Sequence, residues 1–205
     1  MELLLHPVYL PNLEHFSVMV QTDKIVFEAF DNFLKQTYRN RTYIYGANGK
    51  LQLNIPVRHS QKDRKFYRDV EIAYDTDWQL IHKRSIESAY STSPFFEFYL
   101  DEILPMYSKP EKYLYDFNLR TIEIFFDAMR VSFDYSKSTD YEIKPQDKAD
   151  MRNLADAKRK DEQQFENYSQ VFNDKHGFIN NLSILDLLCN LGPNTADYLK
   201  RQSLI

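Results

Sequence analysis

LLLHPVYLPNLEHFSVMVQTDKIVF, running from Leu3 to Phe27, decides the fold class. The apolar triplet Leu3-Leu4-Leu5 reads as a short buried strand that ends at His6-Pro7. From Pro11 to Thr22 the period changes. Leu13, Phe16, Met19 and Val20 recur at three- and four-residue spacing, the mark of one helix face. Asp23-Lys24 breaks that pattern, and Ile25-Val26-Phe27 reads as a second strand. Strand, helix, strand within roughly thirty residues is the βαβ rhythm of an α/β domain.

Working outward, Lys35-Gln-Thr-Tyr-Arg-Asn-Arg41 places one Lys and two Arg just ahead of a hairpin signal. If Tyr38 to Tyr45 is extended, Arg39 and Arg41 share one face, because strand side chains repeat every two residues. Gly46-Ala-Asn-Gly49 supplies turn residues, and Leu51, Leu53, Ile55 and Val57 alternate after it. Pro56 lacks an N–H, so that end of the strand belongs at an edge or leaves the sheet. Val70 to Tyr74 is the next strand candidate, beyond a polar, basic loop from Arg58 to Arg68.

Helices follow. Asp77 is placed to cap one from Trp78 to about Tyr90, and Ser93 another with Pro94 at its first position. A third is expected from about Tyr113 to Met129. Residues 135–164 mix charges densely with few large apolar groups, which predicts a charged linker or a mobile, solvated helix. Phe178 to Leu191 restores a core pattern, with Ser183 as cap and Gly192-Pro193 as stop. The expected fold is therefore α/β (or α+β): a small mixed sheet in the N-terminal half, covering helices and a helical C-terminal extension. Residues 1–134 would form the core, and 165–205 would pack back on it.

Composition limits the function classes. Hydrophobic residues make up 43% of the 205 and aromatics 15%, enough for a sizeable core. The 4 glycines leave no GxGxxG and no GxxxxGK[ST] phosphate loop. A net charge of -4 argues against sequence-independent nucleic-acid binding, which needs a basic surface. Cys189 is the single cysteine, so neither an intrachain disulfide nor a cysteine zinc cage is available, and it reads as buried filler. The five histidines, at 6, 15, 59, 82 and 176, show no metal-ligand spacing, and no structural metal is expected. The Met1-Glu-Leu-Leu-Leu-His-Pro7 start reads as neither signal peptide nor membrane span, which suggests a cytoplasmic protein. Exposed aromatics would suit a homodimer contact. No cofactor is specified.

Several ordered segments carry a resemblance. They are Pro7-Val-Tyr-Leu-Pro11, Lys35 to Arg41, Leu53-Asn-Ile-Pro-Val57, Trp78 with His82, Ser93-Pro-Phe-Phe96, and Ser183-Ile-Leu-Asp-Leu-Leu188 with Gly192-Pro193. On these the sequence resembles the WbqC-like family of bacterial proteins across nearly its whole length. The resemblance implies association with O-antigen and other surface-polysaccharide genes, and thus an enzyme handling a sugar nucleotide or another activated carbohydrate. This chain has His6 where many members carry Gln, and Glu14-His15 where many have Gly-Tyr.

The candidate site residues follow from chemistry. Arg39 and Arg41 with Lys35 would hold phosphate or carboxylate oxygens, since guanidiniums form a fork matched to such anions. Tyr38 and Asn40 would orient the substrate. The bland alternative is a set of exposed charges paired with neighbouring carboxylates. His82 is the acid–base candidate, because imidazole titrates near neutrality. Trp78 on the same helix face is either a sugar-stacking platform or, as aromatics on helices more often are, core. His6 at a strand end loosely resembles the phosphate-contacting histidines of nucleotidylyltransferases, but their two-histidine motif is absent. Glu28 and Asp31 lie just beyond the second strand, where α/β folds place ligands, and would suit sugar hydroxyls or a substrate-borne Mg²⁺. The competing class is a non-catalytic module that binds an acidic ligand or partner with the same arginines.

Overall fold

A computed structural model describes residues 2–58, 65–160 and 163–203. The chain begins with β1 (Glu2–Leu5), α1 (Leu13–Val20) and β2 (Ile25–Phe27), as the opening segment predicts. A hairpin of β3 (Arg41–Gly46) and β4 (Gly49–Asn54) follows, then the short strands β5 (Val57–Arg58) and β6 (Glu71–Ile72). Three helices come next, α2 (Trp78–Tyr90), α3 (Phe96–Ile103) and α4 (Leu114–Ala128). The chain returns to strands at β7 (Tyr135–Lys137) and β8 (Lys148–Asp150). It closes with α5 (Asn173–His176), α6 (Ile184–Leu191) and α7 (Thr195–Arg201).

The α/β reading holds, and the sheet expected as mixed resolves into three parts. The main sheet has four strands in the order β7-β2-β1-β8, and all its pairings are parallel. The antiparallel pairs β3–β4 and β5–β6 stand apart as two-stranded ribbons. Parallel neighbours need a crossover, and α1 supplies it between β1 and β2. Asn12 starts α1, its side-chain oxygen accepting from the His15 N–H at 3.0 Å. The Phe16 ring of α1 meets Phe125 and Phe126 of α4, and Phe126 stacks on Phe133 at 4.0 Å. Phe133 in turn touches Phe27 of β2, so this aromatic column joins helices to sheet.

The C-terminal helices close on α1. The Leu13 N–H donates to the Leu182 carbonyl, the Ile184 N–H to that of Pro11, and the Ser17 hydroxyl to that of Leu199. Ser183 caps α6 by accepting from the Leu185 N–H, and Gly192 ends it at a φ of 55°. In the hairpin, Gly46 pairs with Gly49, whose φ of 99° suits a residue without a Cβ. Pro56 separates β4 from β5, as its missing N–H predicts.

Four local expectations are corrected. Strand β3 starts at Arg41, not Tyr38, because Thr37 to Asn40 is a turn closed by the Asn40 N–H on the Thr37 carbonyl. Arg39 and Arg41 therefore do not form a pair along one strand. Helix α3 starts at Phe96, since the Ser93 hydroxyl donates back to the Tyr90 carbonyl instead of capping forward. Asp77 precedes α2 but makes no side-chain capping bond. The stretch 135–164 supplies β7 and β8, both outer strands of the parallel sheet, where a linker or solvated helix was expected. Backbone hydrogen bonds to β2 and β1 hold these three-residue strands despite their polar side chains.

Candidate functional site

The strand order sets the site. From β1 the chain crosses through α1 to β2 on one side, and β8 later docks on the other side of β1. That divergence is a topological switch point, and ligands of open parallel sheets bind beyond the strands' carboxyl ends at such points. His6 follows β1, Glu28 and Asp31 follow β2, and Arg152 follows β8. A cavity of about 440 Å³ lies there, lined among others by His6, Asp31, Lys35, Arg39, Tyr141 and Arg152. Its size falls in the range that small-molecule pockets occupy.

One wall is a compact charge cluster. Arg39, 3% exposed, donates from Nη2 to Asp31 Oδ2 at 2.8 Å and from Nη1 to the Asn32 carbonyl at 2.9 Å. Its Nη2 also lies 2.6 Å from His6 Nε2, which is 3.0 Å from the same Asp31 oxygen. Burial, then the Arg39 charge, push the His6 pKa down to about 3, although Asp31 pulls the other way. His6 is therefore neutral near pH 7. Nε2 is shared between the Arg39 guanidinium, an obligate donor, and the Asp31 carboxylate, an acceptor, while the buried Nδ1 has no hydrogen-bond partner among the described residues. Asp31 loses some stability as a carboxylate through burial, but His6 and Arg39 hold its pKa below the usual value.

A second pair, Arg152 with Asp150, lies at the same cavity. Arg152 grips Asp150 with two hydrogen bonds, Nε to Oδ1 at 2.8 Å and Nη2 to Oδ2 at 2.6 Å. Its Nη1 reaches Glu28 Oε2 at 3.5 Å, and its guanidinium lies 5.1 Å from the Tyr141 ring centroid. The bonds to Asp150 outweigh burial and raise the Arg152 pKa. Glu28 is buried and accepts from the Phe30 N–H and the Ser138 hydroxyl. Both arginines thus brace the loops that form the cavity. The side chains of Lys35 and Lys158, also in the lining, are exposed and make no hydrogen bond or ion pair among the described residues.

Beneath the site, Asn118 of α4 ties the pieces together. Its amide donates to the Arg39 carbonyl at 2.7 Å and to the Tyr67 hydroxyl at 2.6 Å. Tyr67 donates to the Pro7 carbonyl at 2.6 Å, so the β1 exit and the Arg39 turn share one buried anchor. The Asn118 Oδ1 in this network has no hydrogen-bond partner among the described residues.

The structure brings together His6, Asp31, Lys35 and Arg39 of the candidates from sequence. Tyr38 is buried beside Val8 and Ala155, and its N–H donates to the Ala155 carbonyl. Asn40 hydrogen-bonds the Ile55 carbonyl at 3.1 Å, closing the base of the hairpin. Arg41 opens β3 and does not line the cavity. Trp78 and His82 lie in a buried aromatic cluster with Tyr9, Tyr107 and Phe117, outside this cavity. His82 Nδ1 is 2.8 Å from the Tyr9 hydroxyl, and burial pushes its pKa down to about 4. Of the basic loop, His59, Lys62 and Arg64 lie outside the described residues, while Arg68 stacks its guanidinium 3.9 Å from the Phe30 centroid. Among the described residues no group of three or more His, Cys, Asp or Glu is placed to hold a metal ion, and no helix is long and apolar enough to cross a membrane.

Sequence reasoning missed Tyr141, Arg152 and Lys158. All three lie in the charged stretch 135–164, and Asp150-Met-Arg152 carries no periodic signal that sets it apart from its neighbours.

Comparison with known proteins gives two matches. A sequence model of the group described as "WbqC-like protein family" matches residues 6–164. A Mycobacterium tuberculosis (strain ATCC 25618 / H37Rv) protein named "Uncharacterized protein Rv1507c" is 24% identical over 221 aligned residues, spanning 94% of this chain and 94% of its own length. No solved structure matches the chain.

Proposed function

The chain belongs to the WbqC-like protein family, and from that membership we propose a transferase-like enzyme that takes a phosphate- or carboxylate-bearing substrate into the cavity beside His6 and Arg152. The observation that carries this reading is the pair Lys35 and Lys158. Both line one cavity at strand carboxyl ends, and neither has a partner for its ammonium group among the described residues. An ammonium group is a compact point charge suited to phosphate oxygens. Arg39 adds charge from the wall but is committed to Asp31. The family resemblance supplies the wider setting, an activated sugar in surface-polysaccharide metabolism.

A second reading has its own support. The acid–base candidate His82 is buried away from the cavity and neutral near pH 7, and His6 is neutral too. A cavity whose histidine is held neutral near pH 7 also suits a non-catalytic module for an acidic ligand.

One experiment separates these. The purified chain is screened by thermal shift against nucleotides, nucleotide sugars, sugar phosphates and dicarboxylates, then assayed for turnover of any ligand that binds. A ligand that binds the folded state raises Tm. The expected result is a hit that Lys35→Ala and Lys158→Ala together abolish, with turnover of the bound compound. Binding without turnover of any hit favours the module, and a hit untouched by the two substitutions overturns the site.

A further inference from the structure

If Lys35 and Lys158 hold an anion as proposed above, on which this inference rests, the residues beside them define its class. Tyr141 comes from the connection between β7 and β8 and lines the cavity while 44% exposed. One flank of its ring meets the Arg152 guanidinium at 5.1 Å, and Asp150 fixes that guanidinium by two hydrogen bonds. A ring held this way is an ordered platform, with nearly half its surface left for a second planar group. Leu34, 59% exposed, adds apolar surface to the same lining. The cavity thus combines two ammonium groups that have no partner among the described residues with an aromatic platform and an aliphatic side chain.

The charges narrow the ligand further. Lys35, Lys158, Arg39 and Arg152 face the cavity with Asp31 and Asp156. Asp31 is matched by Arg39, and Arg152 by Asp150. Asp156 accepts the Lys158 backbone N–H and offsets part of the lysine charge. What remains is a pair of point charges from two separate connections. Two ammonium groups on one cavity suit a ligand that carries more than one anionic group, such as a diphosphate.

We propose that the cavity binds a nucleoside diphosphate moiety, its diphosphate between Lys35 and Lys158 and its base stacked on Tyr141. Base–aromatic stacking is tolerant of base identity, because every base offers a π-face. Tyr141 is then the residue that distinguishes a nucleotide from a bare polyphosphate.

The test is calorimetric titration of the full chain with UDP, GDP, ADP, CDP and dTDP, with inorganic pyrophosphate and with uridine. At least one nucleoside diphosphate is expected to bind ten times or more tighter than pyrophosphate. Tyr141→Ala is expected to weaken that ligand about 5- to 140-fold while leaving pyrophosphate unchanged, the range that loss of one stacking contact gives. Tyr141→Phe should restore the affinity, and uridine alone should bind weakly. The Lys35→Ala/Lys158→Ala double variant should weaken both nucleotide and pyrophosphate. Pyrophosphate binding that depends on the lysines, with no added affinity for any nucleotide or none lost in Tyr141→Ala, overturns the nucleotide proposal alone. Absence of lysine-dependent binding by every phosphate overturns the anion site with it.

Discussion

Arg39 Nη2 lies 2.8 Å from Asp31 Oδ2, and this ion pair joins the exit of β2 to the turn before β3. Arg39 is 3% exposed and Asp31 19%, so the pair is buried on one side and half-solvated on the other. Removing one partner of a buried pair leaves an uncompensated charge, which costs about 3–5 kcal/mol when both are deeply buried. With Asp31 partly wet, Arg39→Ala should destabilise by about 2–4 kcal/mol in urea unfolding. Asp31→Asn in that background should cost much less than it does alone. A loss under about 1 kcal/mol would place the pair with ordinary surface ion pairs.

Three buried histidines set an acid limit. Burial holds His6 at about 3 and His15 and His82 at about 4, against 6.5 for a free imidazole. Their folded pKa values are depressed, so the unfolded chain binds more protons below pH 6.5 and stability falls with pH there. Each should cost about 2 kcal/mol between pH 6.5 and 5. Urea midpoints measured at pH 7, 6 and 5 should decline, and His82→Gln should make the decline shallower by roughly a third to a half, since Asp186 offsets part of the histidine loss. A midpoint that does not move between pH 7 and 5 would contradict this account.

What was legible follows from periodicity. The β1-α1-β2 unit, α2, α4 and α6 all announce themselves by apolar spacing, and His6, Asp31, Lys35 and Arg39 flank those elements. Strands β7 and β8 do not, because Tyr135-Ser-Lys137 and Lys148-Ala-Asp150 are too short to alternate and are held by main-chain bonds to β2 and β1. Such bonds carry no side-chain signature. Arg152 and Lys158 enter the site only because β8 docks beside β1, so their place depends on a pairing the sequence does not display. Arg39 was legible as a cation but not as a wall residue, since Asp31 lies eight positions away in an irregular loop.

Asp186 opposes the histidines. It lies fully buried in α6, accepting on Oδ2 from the Tyr168 hydroxyl at 2.6 Å and from Gln170 Nε2 at 2.9 Å. Burial still wins, raising its pKa from 3.8 to about 6. The folded state therefore binds the extra proton between those values, and this contribution to stability is lost as pH rises through about 6. Asp186→Asn removes the titration. Relative to the parent, the variant should gain about 2–3 kcal/mol on going from pH 4 to pH 7. Urea unfolding at both pH values measures that difference, and an equal gap at the two would refute it.

Gly192 tests how tightly the C-terminal helices fit the core. It ends α6 at a φ of 55°, a region that L side chains enter at a cost. A Cβ built there would stand 2.5 Å from Cγ and Cδ1 of Phe95, whose own N–H is bonded to the Cys189 carbonyl. The ring must move for a Cβ to fit, so Gly192→Ala combines backbone strain with overpacking, together about 2–5 kcal/mol. Gly177 isolates the first part, because its φ is 73° and a Cβ there meets nothing within 4 Å. Gly177→Ala should therefore cost only the strain, about 1–3 kcal/mol. In a Phe95→Ala background the two glycine substitutions should converge, since the clash is gone while both strains remain. If Gly192→Ala stays the more costly of the two in that background, the Phe95 ring is not what demands glycine at this position.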